Sequence, residues 1–256
     1  MSDPNAKPFM EHLDDLRWVL VKSALALAIG VTLCFIYTKK LLNVLEWPLR
    51  QAGQDPATIA VVLHPADPFF IQIQISTMGG VILSLPFILY FIAGFILPAL
   101  TPREKKYLAP VFTAGALLFL IGIAFCYFLV LPQTFAFFID YNKWMGVQAN
   151  WTLSNYIDFT VQMLLGLGLA FEFPLVLMLL NILGILPHQS LVEYRRHALV
   201  IVVVIAACIT PSSDLFSLAV ISAPLYVLYE ACVWLTWLRE LKAGQPPEVL
   251  DNTPME

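Results

Sequence analysis

The sequence predicts an all-α, polytopic membrane protein of six transmembrane helices, with kinked helices that form a concave, cupped shape. Three observations predict this class. Of the 256 residues, 59% are hydrophobic and 12% are charged, which is about half the charged fraction of a soluble domain. The hydrophobic residues form runs of about the 20 residues that cross a bilayer. Prolines interrupt these runs, and each proline removes a hydrogen bond and bends its helix.

The six predicted spans differ in length. They cover residues 18–38, 69–97, 110–131, 156–184, 197–212 and 215–238. The second and fourth spans are long enough to tilt, whereas the fifth is short because Thr210 and Pro211 interrupt its apolar run. We expect residues 1–256 to form a single integral membrane domain, in which residues 240–256 are a flexible cytoplasmic tail.

The charges around the spans predict their orientation. The charged side chains of residues 1–16 are acidic except for one lysine, whereas a cleavable signal begins with basic residues. We therefore expect the first span to be retained. With the N-terminus inside, ten of the 14 lysines and arginines lie on or near the cytoplasmic side. The positive-inside rule therefore places both termini in the cytoplasm.

The two longer outer loops carry different patterns. The first, residues 39–68, begins with apolar residues at helical spacing between Lys40 and Arg50, which predicts a short helix lying in the interface. The second, residues 132–155, is rich in phenylalanine, tyrosine and tryptophan. This composition predicts an aromatic belt that anchors the protein at the membrane surface.

The reactive side chains do not form a catalytic pattern. The four cysteines lie inside apolar stretches and are expected to pack as small hydrophobic residues. The histidines fall at the edges of the spans, and the sequence holds no nucleotide-binding fingerprint, P-loop or metal-ligand cluster. We therefore expect no enzymatic activity, no cofactor or metal, and no nucleic-acid partner.

Glu172 is a carboxylate inside the apolar run 164–186, which contains no basic residue. A charge at this depth costs at least ~2.5–3.5 kcal/mol on insertion scales. One interpretation is a protonated glutamate that hydrogen-bonds to a neighbouring helix. The other is a proton- or substrate-linked site, which would fit a proton-coupled small-solute transporter. The absence of an inverted repeat weakens the transporter hypothesis.

Three other carboxylates lie near the ends of spans. Asp15 and Glu104 could be ordinary helix-start carboxylates, or together they could form an acidic site on the cytoplasmic side. Asp214 follows the break after Pro211 and could cap the N-terminus of the sixth span.

Several short motifs appear in a characteristic order. The chain opens with His12-Leu13-Asp14-Asp15-Leu16-Arg17 and enters its second span with Pro68-Phe69-Phe70. Its first inner loop carries Phe95, Pro98, Leu100 and Glu104, and its fourth span carries Phe171-Glu172-Phe173-Pro174. The pair Arg195-Arg196, the turn from Thr210 to Asp214, and Pro224-Leu225 with Tyr229-Glu230 complete the set. Over roughly residues 9–240 this order resembles the TatC family, the receptor and core subunit of the twin-arginine protein translocase.

The resemblance implies a role in the bacterial cytoplasmic (inner) membrane. Members of the family bind twin-arginine signal peptides, recruit single-span TatA/TatB-type subunits, associate with themselves and with lipid, and move folded proteins across the membrane. It implies that the signal peptide binds at Asp15, Arg17, Phe95 and Glu104. It also implies structural or partner contacts at Pro48, Pro174, Thr210 and Asp214, and a polar site inside the membrane at Glu172.

The sequence departs from the family pattern at five places, one of which is Ser212-Ser213 in a turn that is commonly shorter and rich in proline. Asp15 stands where the family has a glutamate, and Val19 replaces a second arginine. Gln74 replaces a lysine that is usual early in the second span, and Leu218 replaces a polar residue. These differences predict a divergent member of the family, with a shorter signal-binding carboxylate and altered contacts around the sixth span.

Overall fold

The computed structural model describes residues 9–59, 61–99, 102–147, 151–211 and 214–242. All regular structure in these residues is helical, which confirms the all-α prediction. They include a single π-helical turn, Cys126–Val130. The α-helices are α1 (Phe9–Ile36), α2 (Thr38–Leu45), α3 (Trp47–Gln51), α4 (Asp67–Ile96), α5 (Pro102–Phe125), α6 (Leu131–Trp144), α7 (Leu153–Ala170), α8 (Phe173–Ile182), α9 (His188–Glu193), α10 (Arg195–Ile209) and α11 (Leu215–Lys242).

Five stretches of the described residues are long and apolar enough to cross a membrane. They are Leu13–Ile36, Asp67–Ile96, Leu108–Trp144, Leu153–Ile182 and Leu215–Leu241. The predicted fifth span corresponds to α10, which has only 15 residues and rises about 22 Å, less than the hydrocarbon thickness of about 30 Å. Five of the six predicted spans are therefore confirmed by length. The fifth span, the orientation and the cupped shape stay predictions.

The prediction of an outer loop over residues 132–155 is wrong for its first half. The helical path continues through the π-helical turn into α6 and ends at Trp144. Pro132 does not end it, because it lies in the first turn of α6, where its missing N–H is not needed. Phe135 is 3% exposed and packs against Trp151 and Tyr156. Part of the predicted aromatic belt is therefore core.

The fourth span is interrupted, as its proline predicts. Helix α7 ends at Ala170 and α8 begins at Phe173, with Pro174 in its first turn. Glu172 occupies the N-cap position of α8. Gly184 has a φ of +72°, a conformation that favours glycine, and its N–H donates to the carbonyl of Asn181. The span is therefore two helices that meet at Glu172.

The first outer loop folds into the two short helices α2 and α3, which confirms its predicted helical character. The Tyr127 hydroxyl donates to the carbonyl of Val44 at 2.6 Å, and the Tyr156 hydroxyl donates to that of Leu45. Trp47 stacks on Tyr127 with ring centroids 5.3 Å apart. Pro48 lies in the first turn of α3 and is buried. These contacts fix the loop against the spanning helices.

Helix α1 packs chiefly on α4, and glycines allow the close approach. A Cβ on Gly80 would lie 2.7 Å from the Val31 nitrogen, and a Cβ on Gly30 would lie 2.8 Å from the Gly80 oxygen. Just beyond, the hydroxyls of Thr38 and Ser76 are 3.1 Å apart. Small residues at helix contacts are typical of membrane proteins. This close packing fixes the position of the first turns of α1 relative to the last turns of α4.

Candidate functional site

A cavity of about 440 Å³ lies where the first turns of α1 face the end of α4. Asp15 on α1 and Phe95 on α4 both line it, although 80 positions separate them in the chain. Both side chains are partly buried. The other lining residues are Trp18, Val19, Lys22, Phe91, Gly94, Leu97, Pro98 and Lys105.

Helical periodicity explains which α1 residues reach the cavity. Asp15, Trp18, Val19 and Lys22 stand at positions i, i+3, i+4 and i+7 of one helix, so their side chains share a face. The sequence motif identified Asp15 only. The same spacing could have identified Trp18 and Lys22, because both lie on the Asp15 face of the helix.

Of the two remaining predicted signal-binding residues, Arg17 lies away from the cavity, and the side chain of Glu104 is not described. Arg17 is exposed and does not line the cavity, because it is two positions from Asp15 and points away from the shared face. Glu104 belongs to the first turns of α5, but its side chain lies outside the described part of the chain. Its neighbour Lys105 does line the cavity, so α5 contributes to this site.

The cavity combines a carboxylate, aromatic rings and cations. Asp15 supplies the acidic group, Phe91 and Phe95 supply apolar rings from α4, and Lys22 and Lys105 supply two ammonium groups. Gly94 leaves part of the wall open, since no atom lies within 4 Å of a Cβ placed there. Such a site can bind a planar cation through bidentate hydrogen bonds and ring contacts.

Glu172 lies in a different place. It lines a mainly apolar cavity of about 700 Å³ between α7, α8 and α10, together with Gln162 and Cys208. Both carboxylate oxygens are buried, and neither has a hydrogen-bond partner among the described residues. A Cβ on Gly115 would lie 3.0 Å from Oε2, so α5 packs closely over the carboxylate. The interpretation in which Glu172 bonds to a neighbouring helix finds no support in these contacts.

The predicted contact residues occupy structural positions near the ends of helices. Pro48 and Pro174 lie in the first turns of α3 and α8. The Thr210 hydroxyl donates to the carbonyl of Ala206 at 2.9 Å and ends α10. Oδ1 of Asp214 accepts the N–H of Ser217 at 2.7 Å, the capping bond that its position predicts. Leu218 packs against the main core.

A polar cluster that the motifs did not identify joins α8, α9 and α11. Asn181, which is 5% exposed, donates to the carbonyl of Leu186 at 2.9 Å and accepts from Arg239. Glu240 accepts the N–H of His188 at 2.9 Å. Nearby, Arg195 and Glu230 form an ion pair at 3.1 Å. These bonds fix the turn after α8 to the end of α11.

Comparison with known proteins identifies one family. Residues 11–224 match the family described as Sec-independent protein translocase protein (TatC). A protein of that name from Akkermansia muciniphila is 38% identical over 190 residues, covering 74% of this chain and 55% of the relative. The chloroplastic relative from Pisum sativum is 32% identical over 238 residues, covering 93% of this chain and 66% of the relative.

A solved structure of the same family has a similar fold. The crystal structure of the twin-arginine translocase receptor TatC in the detergent DDM superposes with a TM-score of 0.77 at 32% identity. The match covers 88% of this chain and 99% of that structure. The present chain therefore spans the whole solved fold, whereas it spans 55% and 66% of the lengths of the two relatives above.

Proposed function

This chain belongs to the TatC family of Sec-independent protein translocase proteins, and from that premise we propose that it is the signal-peptide receptor of a twin-arginine translocase. It binds twin-arginine signal peptides at the cytoplasmic face of the bacterial cytoplasmic membrane. It then recruits single-span TatA/TatB-type subunits, so that folded proteins cross the membrane.

The observation that supports this proposal is the meeting of Asp15 and Phe95 in one cavity. A guanidinium group presents two parallel N–H bonds that match the two oxygens of a carboxylate. The apolar ring of Phe95 lines the same cavity, so it would shield a bound guanidinium from part of the water, and an ion pair is stronger where water is excluded. The cavity thus holds the two chemical elements that an arginine side chain needs.

Two arginines require a second carboxylate, and we assign that role to Glu104. Its helix α5 already reaches the cavity through Lys105, and the family resemblance gives Glu104 the same role. Asp15 takes one guanidinium and Glu104 the other. Arg17 lies on the exposed side of α1, where we assign it to the rim of the bound peptide.

The lysines of the cavity oppose the binding of a cation. Lys22 and Lys105 both line it, and each repels an arginine-bearing peptide. Replacing either with glutamine should raise peptide affinity, most of all at low ionic strength, because salt screens the repulsion. We therefore expect the hydrogen bonds between the peptide guanidinium and the Asp15 carboxylate, and not the net charge of the cavity, to determine peptide binding.

Partner binding uses the rest of the membrane-embedded surface. We assign the contacts with single-span subunits, lipid and further copies of the chain to the helix surfaces around Pro48, Pro174, Thr210 and Asp214. The first three of these residues are buried, so they shape the contact surfaces instead of touching the partner. The Glu172 cavity takes part after the signal peptide has bound. The separate positions of Glu172 and Asp15, which line different cavities, support this division.

A proton-coupled transporter is the second candidate function. The carboxylate oxygens of Glu172 favour it, because they are buried in a cavity of about 700 Å³ and have no hydrogen-bond partner in the part of the chain that the structure describes. It requires pH-dependent solute uptake into vesicles that Glu172→Gln abolishes. Uptake that is the same in the variant would remove this candidate.

The test of the receptor proposal is peptide binding to the full chain in nanodiscs, with a fluorescent twin-arginine peptide and a twin-lysine peptide. Asp15→Asn should weaken twin-arginine binding at least tenfold, since an ion pair with good geometry is lost. Asp14→Asn is the matched control, because Asp14 is exposed and does not line the cavity.

A space-filling variant tests the cavity independently of charge. Gly94→Leu places a side chain in open space, so the chain should fold and yet lose peptide binding. Gly94→Ala should bind normally. Equal binding of the two peptides, or normal binding by both Asp15→Asn and Gly94→Leu, would refute the proposal.

A further inference from the structure

We propose that Trp18 is the residue through which this cavity distinguishes arginine from lysine, by stacking its indole ring on a guanidinium group held by Asp15. The inference rests on the proposed function and names a determinant of its specificity. Trp18 lies outside the motifs that carry the family resemblance, and only its position in the cavity indicates a role.

The first step is geometric. Trp18 stands three residues after Asp15 on α1, so the two side chains are neighbours on one helix face, with Cβ atoms about 5–6 Å apart. Both line the cavity, and Trp18 remains 56% exposed. A planar group that is bonded edge-on to the Asp15 carboxylate can therefore lie flat on the indole ring.

The second step is electrostatic. Among the described side chains of the cavity, two ammonium groups accompany one carboxylate. Overall charge therefore gives no preference for one cation over another. A lysine of the peptide is a compact, strongly hydrated charge, whereas a guanidinium is planar, weakly hydrated and stacks on aromatic rings. The indole ring is the best of the aromatic partners for such a cation.

The third step concerns the availability of the ring. Within the described residues, the Lys40 ammonium lies over the Tyr37 ring, 5.2 Å from its centroid. No cation of the described residues lies over the ring of Trp18. Neither Lys22 nor Lys105 occupies the ring, although both line the same cavity. The face of Trp18 is thus open to a cation brought by the peptide.

A membrane-anchoring tryptophan is the competing explanation, since tryptophan is common at membrane interfaces. The two explanations differ in what they affect. An anchor contributes equally to the binding of every peptide, because it acts on the position of α1. A stacking residue changes the ratio of the affinities for arginine and lysine peptides.

The experiment compares the twin-arginine and twin-lysine peptides on the full chain in nanodiscs, for wild type, Trp18→Leu, Trp18→Phe and Trp144→Leu. Trp18→Leu should reduce the affinity ratio by roughly threefold to thirtyfold, which corresponds to a partly desolvated cation–π contact. Trp18→Phe should retain part of the ratio. Trp144→Leu is the matched control, because Trp144 is 77% exposed at the end of α6 and outside the cavity.

The outcomes separate this inference from the proposed function. If Asp15→Asn abolishes arginine-peptide binding while Trp18→Leu leaves the affinity ratio unchanged, Trp18 is an anchor and the inference is wrong. If neither Asp15→Asn nor Gly94→Leu affects binding, the receptor function itself fails. A lowered ratio in Trp18→Leu, with thermal stability like that of Trp144→Leu, supports the inference.

Discussion

The side-chain amide of Gln74 on α4 donates a hydrogen bond of 2.7 Å to Oδ1 of Asp158 on α7. Both residues belong to spanning helices, where a carboxylate without a partner is costly. The bond joins the second and fourth spans a few residues from their N-terminal ends. The family resemblance implies a lysine at this position, and Gln74 supplies a neutral donor to Asp158 instead.

Replacing Gln74 with leucine should destabilise the protein, because Asp158 loses its donor. The expected loss is about 0.6–1.7 kcal/mol, the range measured for polar contacts inside membranes. Gln74→Lys should retain or raise stability, since an ammonium can pair with Asp158. Thermal unfolding in detergent measures both. Gln72→Leu is the control, since its amide makes only a 3.5 Å contact with the Phe35 carbonyl, and an equal loss there would contradict the prediction.

Replacing Gly80 with alanine should displace α1 from α4. The new methyl group would lie 2.7 Å from the nitrogen and 2.8 Å from the Cα of Val31, and backbone atoms cannot move aside as a side chain does. Overpacking of this kind costs about 1–3 kcal/mol. Because α1 carries Asp15 and α4 carries Phe95, peptide binding should weaken as well.

The control for Gly80→Ala is Gly94→Ala, at which no atom lies within 4 Å of the new Cβ. Thermal unfolding and peptide titration of the two variants give the comparison. A Gly80→Ala protein as stable as the Gly94→Ala protein would show that α1 and α4 pack less closely than the structure has them.

Replacing Asn181 with leucine should loosen the end of α8 from the end of α11. Asn181 is buried, accepts from Arg239, and donates to Leu186 and, at 3.3 Å, to Glu240. Leaving buried groups without partners costs about 1–3 kcal/mol. The melting temperature should fall, whereas the exposed control Asn43→Leu should leave it unchanged. If both variants melt alike, the cluster does not contribute to stability.

Replacing Glu172 with alanine should leave signal-peptide binding unchanged and impair a later step of transport. The reason is spatial, because Glu172 lines the cavity between α7, α8 and α10 and not the one that holds Asp15. Peptide titration and export of a folded cargo in cells measure the two steps. Asp15→Asn serves as the converse control, with both steps lost. Loss of peptide binding in Glu172→Ala would contradict this order.

Hydrophobic run length and proline positions predicted most of the helices, but they wrongly predicted that a helix ends before Pro132. The kink at Pro174 follows from the chemistry of proline, and the break at Glu172 is where it predicts. Pro132 carries the same local signal, yet the helix passes through it. The π-helical turn Cys126–Val130 precedes Pro132 and places it in the first turn of α6. The effect of a proline on its own helix can be predicted from the sequence. The π-helical turn before Pro132 cannot, because it depends on how the helices on either side of the turn pack against the rest of the protein.

The candidate site was predicted in part. The motifs contain Asp15 and Phe95, and the structure brings these two together. Arg17 carried equal weight in the motif, but helical geometry places it on the other side of α1. Trp18 and Lys22 were missed although their spacing from Asp15 is visible in the sequence. Lys105 could not be found that way, because it comes from another helix and its approach depends on how α5 packs.

The sequence by itself determined that this protein is helical, that it belongs in a membrane, and that its motifs follow the TatC order. Hydrophobic run length and helical periodicity depend only on neighbouring residues, so these properties are readable without a structure. Only the tertiary structure decided that Asp15 and Phe95 line one cavity while Glu172 lines another. The first relationship depends on the close approach of α1 and α4 at Gly30 and Gly80, and the second depends on how α10 packs beside α7 and α8. Both are properties of packed helices and not of any one helix alone.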